Sequence, residues 1–60
     1  MPWFTVVGYN YVVSYRTYKS HWERKQVDLE AEDEEAALFE FKKRYPDFNI
    51  DVAILPRLSH

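Results

Sequence analysis

The sequence predicts an α+β fold of order ββαβ, a three-stranded antiparallel sheet in strand order 2-1-3 with one helix packed on one face. Three observations predict it. Residues 3–18 are rich in Val, Tyr, Phe, Trp and Thr, the residue types that fit a pleated, half-buried surface. Two later stretches alternate apolar and polar residues with a period of two: Val27, Leu29 and Ala31 against Asp28, Glu30 and Glu32, then Phe48, Ile50, Val52 and Ile54 against Asn49, Asp51 and Ala53. Between them lies a segment with helical caps and helical spacing. The period-two stretches exclude a helical bundle, and three strands are too few for a barrel. At 60 residues the chain is read as a single domain, 1–60.

The first strand is expected over about 3–18. Its odd positions are Trp3, Thr5, Val7, Tyr9, Tyr11, Val13 and Tyr15, and its even positions are Phe4, Val6, Gly8, Asn10, Val12, Ser14 and Arg16. Both faces are apolar up to Gly8, and beyond it the odd face is the more hydrophobic. A lone glycine inside a strand marks a bulge or a close backbone approach. A bulge near Gly8 would put Phe4 and Val6 on the face of Tyr9, Tyr11 and Val13, so which face meets the helix stays open. Residues Lys19–His21 read as the hairpin connection, without an Asn-Gly or Asp-Gly pair to fix the turn type. The second strand follows over about 22–31.

The helix, about 34–45, carries the clearest signals. Asp33 is a natural N-cap, because its carboxylate can accept from amides of the first turn. Glu34 and Glu35 lie at the positive end of the macrodipole, and Lys42, Lys43 and Arg44 at its negative end. Pro46 ends the run by disfavouring helical geometry at Tyr45. Ala37, Leu38, Phe41 and Tyr45 share one face, while Phe39 points away from it. Pro46-Asp47 turns the chain into the last strand, about 48–55, which Pro56 stops, leaving 57–60 as a short tail. A right-handed crossover through the helix sets the last strand beside the first and parallel to the second. The expected core is Val27, Leu29, Ala37, Leu38, Phe41, Tyr45, Ile50, Val52 and Ile54.

Composition narrows the function. The chain has no cysteine, which excludes a disulfide framework, a thiolate metal site and a thiol nucleophile, and suits a reducing compartment. The N-terminus lacks a basic leader pattern, and no uncharged run reaches the roughly 18 apolar residues of a membrane helix, so a cytoplasmic protein is expected. One glycine rules out a glycine-rich phosphate loop. The two histidines, His21 and His60, fall in a loop and at the terminus. The acids of 28–35 read as a solvated face and a helix cap, since acid–base catalysis needs carboxyls in distinct environments within a cleft. No enzyme activity, catalytic residue, metal or cofactor is expected.

Eleven aromatics in 60 residues exceed what one helix face can absorb. The sheet face away from the helix must be wet, stacked upon or covered, and Tyr and Trp are enriched at interface hot spots. Trp3, Tyr9, Tyr11 and Tyr15, together with Phe39 on the outer helix face, are the candidate protein-binding residues. The uncovered sheet face and the exposed edges at the second and third strands make self-association as a homodimer, through either, a further expectation. The competing reading uses the hairpin, where Arg16, Lys19, Arg24 and Lys25 interleave with aromatics including Trp22. Aromatics beside cations suit single-stranded nucleic acid such as RNA. The net charge of −2 and the acidic run from Asp28 oppose it.

Phe4-Thr5-Val6-Val7-Gly8, Trp22 and the run from Val27 to Ala36 resemble the opening, hairpin and helix start of small ββαβ proteins. Archaeal ribosomal proteins of the LX type and short bacteriophage-encoded proteins share that layout. The resemblance implies a small non-enzymatic, phage-type viral inhibitor or modulator of a larger host protein. The chain departs from the LX type in having no Lys or Arg between Tyr45 and Asp51, and no binding residue carries over from it.

Overall fold

In a computed structural model that describes residues 2–55, the chain runs β1 (Trp3–Ser14), β2 (Lys19–Glu30), α1 (Glu34–Arg44) and β3 (Ile50–Leu55). Among the described residues the strands form one antiparallel sheet in order β2-β1-β3, and with the helix they make the α+β layout ββαβ. The expected stop at Pro56 and the 57–60 tail lie outside the described residues, as does His60.

β1 and β2 pair without a break over twelve positions, from Trp3 opposite Glu30 to Ser14 opposite Lys19. Side chains alternate between faces along a strand, and directly opposed residues share a face. Phe4 with Leu29 and Val6 with Val27 therefore face the helix, and the core contains all four. Trp3, Thr5, Val7, Tyr9, Tyr11 and Val13 face the other way.

The hairpin reverses at Tyr15–Tyr18, so β1 is four residues shorter than expected and β2 begins three residues earlier. Lys19–His21, expected as the connection, are strand. The physical reason is that a turn of Tyr, Arg, Thr and Tyr contains none of the residues that mark reversals, so composition gives no sign of it. Tyr18 closes the turn at φ 54, in the left-handed region.

The irregularity expected in the first strand near Gly8 sits in β3 instead. Val7 pairs with Ala53, but Tyr9 pairs with Ile50, so two residues of β3 oppose Gly8 alone. Asp51 takes up the extra residue with φ 50, a conformation its short polar side chain tolerates. The bulge reverses the facing of β3 at that point. Val52 and Ile54 pack on the core, whereas Ile50 lies beside Tyr9 on the far face and is not the core residue its spacing suggested. Gly8 is the close approach that its isolation implied. A Cβ there would sit 2.3 Å from the Phe48 carbonyl oxygen and 2.7 Å from the Phe41 ring.

The helix starts as its sequence dictates. Asp33 is extended (φ −153, ψ 179) and its carboxylate accepts from the Ala36 amide at 2.8 Å. The helix ends at Arg44, one residue before the expected bound, and Tyr45 donates its amide to the Phe41 carbonyl at 2.8 Å. A further bond from the Phe48 amide to the Tyr45 carbonyl (3.1 Å) closes the turn through Pro46 and Asp47. β3 consequently begins at Ile50, two residues later than the alternation suggested.

The buried centre is Val6, Leu29, Ala31, Ala37 and Phe41, with Phe4, Val27, Ala36, Leu38, Tyr45, Phe48, Val52 and Ile54 packed around it. Phe41 and Val6 are its largest fully buried side chains. Phe41 also stacks at a tilt on Tyr45, with ring centroids 5.4 Å apart.

Candidate functional site

Length decides what the helix can cover. Eleven residues rising about 1.5 Å each give a helix of roughly 16 Å, against roughly 40 Å for a twelve-residue hairpin at about 3.4 Å per residue. The helix therefore lies over the half of the hairpin where β3 also pairs. Lys25, with its Nζ 5.0 Å from the Tyr45 ring centroid, sits near the end of that cover. Beyond it no other described element covers the hairpin, and the molecule is 45 Å long but 13 Å thick.

The projecting half is two-sided. On the side continuous with the helix it carries Asn10, Val12, Ser14, Lys19, His21 and Glu23, a mostly polar set suited to water. His21 Nε2 lies 3.6 Å from Glu23 Oε2. The opposite side carries Tyr9, Tyr11, Val13 and Trp22, with Ser20 and Arg24 opposed to Val13 and Tyr9. Tyr11 and Trp22 are directly opposed across the strands, with ring centroids 4.8 Å apart and planes tilted by 60°. Tyr11 is fixed from its far end by donating its hydroxyl to Ser20 Oγ at 2.5 Å.

That surface continues under the covered half, through Val7, Ile50, Ala53, Leu55, Thr5 and Trp3. Val7 is only 4% exposed although no helix lies over it, because its neighbours on three strands enclose it. Trp3 at 51%, Tyr11 at 45%, Val13 at 46% and Trp22 at 59% are the large apolar groups open to solvent on this face. Its charged groups among the described residues are Arg24, Asp28 and Glu30, all on β2. Arg24 donates to Gln26, and Asp28 accepts from the Thr5 hydroxyl at 2.6 Å.

The structure thus brings together Trp3, Tyr9 and Tyr11 of the expected protein-binding set, and adds Trp22, Val13, Ile50 and Leu55. Trp22, interleaved in sequence with the hairpin cations, is placed here by its register opposite Tyr11. Tyr15 stands in the turn, 86% exposed, at the tip of the same hairpin. Phe39 is separate. It is 69% exposed on the outer helix side, beside a shallow groove lined by Asp33, Glu35, Ala36, Leu38, Glu40 and Lys42. Those residues all belong to the helix and its cap, so among the described residues no second element forms an opposite wall.

The residues of the nucleic-acid reading do not converge. Strand alternation puts Trp22 and Arg24 on the open face but Lys19 and Lys25 on the helix side, while Arg16 lies in the turn. Among the described residues a single cation shares a face with the aromatics, and the two carboxylates of Asp28 and Glu30 follow it along the same strand. Among the described residues no three His, Asp or Glu side chains are grouped closely enough to hold a metal ion. None of the described helices is long and apolar enough to cross a membrane.

Comparison with known proteins finds no matching family model, no matching curated protein and no matching solved structure.

Proposed function

We propose that this chain is a non-catalytic protein-binding module that docks through the open face of its sheet. One observation carries the reading: where the hairpin outruns its helix, the polar side is the one next to the helix, and the aromatic side is the one facing away from it. A hairpin that needed only solubility would be polar on both sides there. Contiguous apolar patches of more than a few hundred Å² on small proteins mark interaction sites, and Trp and Tyr are the side chains that dominate binding energy when a partner desolvates them. The Tyr11–Trp22 pair, ordered by its tilted ring contact and by the Tyr11–Ser20 hydrogen bond, loses little freedom on docking. In this reading the chain acts by occupying a protein surface, as a small inhibitor or modulator does.

The test is capture on immobilised chain, offering both a lysate of the cells that produce it and an untagged copy of the chain. Tyr11→Arg on the sheet face and Phe39→Arg on the outer helix face are compared with the parent. Retention that Tyr11→Arg abolishes and Phe39→Arg leaves intact supports the sheet face. Retention indifferent to Tyr11→Arg removes it.

A further inference from the structure

The charges on the open face are arranged along one strand in a way that fits the face to itself. Reading β2 on that side gives Ser20, Trp22, Arg24, Gln26, Asp28 and Glu30, a cation on one side of Gln26 and carboxylates on the other. Resting on the docking reading above, we propose that the occupant of the open face is a second copy of this chain, stacked sheet to sheet about a two-fold axis with the strands antiparallel.

The geometry follows from symmetry. A two-fold axis lying between the sheets and perpendicular to the strands sets β2 over β2 of the other copy with its direction reversed. Centred near the Val7–Gln26 pair, it places Arg24 over Asp28 of the second copy, and Asp28 over Arg24, so each contact occurs twice. Packed sheets are about 10 Å apart, a gap that an arginine and an aspartate reaching from opposite sides can bridge. On β1 the same operation sets Tyr11 over Trp3 of the second copy, bringing together exposed rings from opposite ends of the face, while on β2 it sets Trp22 over Glu30 at the ends of the stack, so of the two carboxylates it is Asp28 that meets the cation. The other two-fold arrangement, with strands parallel, lays β2 over β3 when its axis runs along β1, where the open-face residues Ile50, Ala53 and Leu55 offer Arg24 no charge, and lays Arg24 over Arg24 when its axis runs along β2. Charge therefore selects the antiparallel stack.

The test is sedimentation equilibrium of the whole chain from about 5 to 500 μM, with circular dichroism confirming that each variant is folded. The parent is expected to be a dimer at the upper end. Arg24→Asp alone and Asp28→Arg alone each place like charges opposite one another and are expected to weaken association by about 100-fold or more. The double exchange Arg24→Asp with Asp28→Arg restores the pairing and is expected to recover association. That recovery cannot come from a merely structural role of either residue, since the two are four residues apart on one strand. A parent chain that stays monomeric throughout overturns the proposal, as does a dimer that the single exchanges leave unchanged or the double exchange fails to rescue. If the chain is monomeric and Tyr11→Arg still abolishes capture of a different protein, the self-pairing is wrong while the docking face stands.

Discussion

Gly8 and Asp51 are neighbours across the sheet and solve one problem together. The extra residue of β3 needs a left-handed conformation, which Asp51 supplies, and the crowding beside it leaves no space for a side chain at Gly8. Gly8→Ala drives a methyl into the Phe48 carbonyl and the Phe41 ring. Urea unfolding is expected to show a loss of about 1–3 kcal/mol, the range for overpacking a tight site. At Asp51 the expectations split by residue type. Asp51→Gly keeps the conformation open and is expected to be near neutral. Asp51→Val must adopt left-handed geometry with a branched side chain and is expected to cost about 1–2 kcal/mol. Equal stabilities for these two variants would show that the bulge is not where β3 turns its faces over. The glycine's role could be read in the sequence as a close approach, but its partner could not. Nothing local to Asp51 announces a bulge, because the run from Phe48 to Ile54 alternates without a fault and the extra residue is defined only by pairing with β1.

Elements were legible in proportion to the local chemistry at their ends. The helix carries its own boundary markers in Asp33, the acidic first turn and Pro46, and its observed limits differ from those expected by one residue. Asp33→Ala removes the acceptor for the Ala36 amide and is expected to lower stability by about 1 kcal/mol, read from the urea midpoint. The hairpin carries no such markers. Its reversal at Tyr15–Tyr18 uses β-forming residues, and only the twelve-residue register shows where the strands part. That register also decides the fate of the hairpin cations. Alternation divides Arg24 from Lys19 and Lys25, so a phosphate chain following the aromatic face meets one cation and then two carboxylates. Titration with mixed-sequence single-stranded RNA at about 50 mM salt, where phosphate contacts are strongest, is expected to show no binding at tens of micromolar. Binding whose logarithm falls with log salt at a slope of about −2 or steeper would mean that three or more phosphates are neutralised, which this division of charges does not provide.

At the scale of the whole molecule, one short helix serves a sheet much longer than itself. The covered half holds the core, and so small a core has little reserve against a buried charge. Val52→Asp sets a carboxylate at a half-buried position packed against the apolar core and is expected to cost roughly 3 kcal/mol. Cooperative melting close to that of the parent would contradict the packing. The uncovered half holds the aromatics. Composition revealed their surplus, and the register assigned them to a face. Trp3, Tyr9 and Tyr11 were visible as a set because they share one parity on one strand. Trp22 and Ile50 were not, since each reaches that face only through pairing with β1.

The most direct measurement uses the tryptophans themselves. Trp3 and Trp22 are the only two in the chain and stand toward opposite ends of the open face, so intrinsic fluorescence reports on that face alone. Emission and acrylamide quenching are followed as protein concentration rises, with this chain's two indoles the only ones in the sample. Occupancy of the face predicts emission moving to shorter wavelength and quenching falling together, with Tyr11→Arg holding both at their dilute values. Emission and quenching that stay those of exposed indoles throughout, while association is taking place by sedimentation, would contradict the open sheet face as the docking surface.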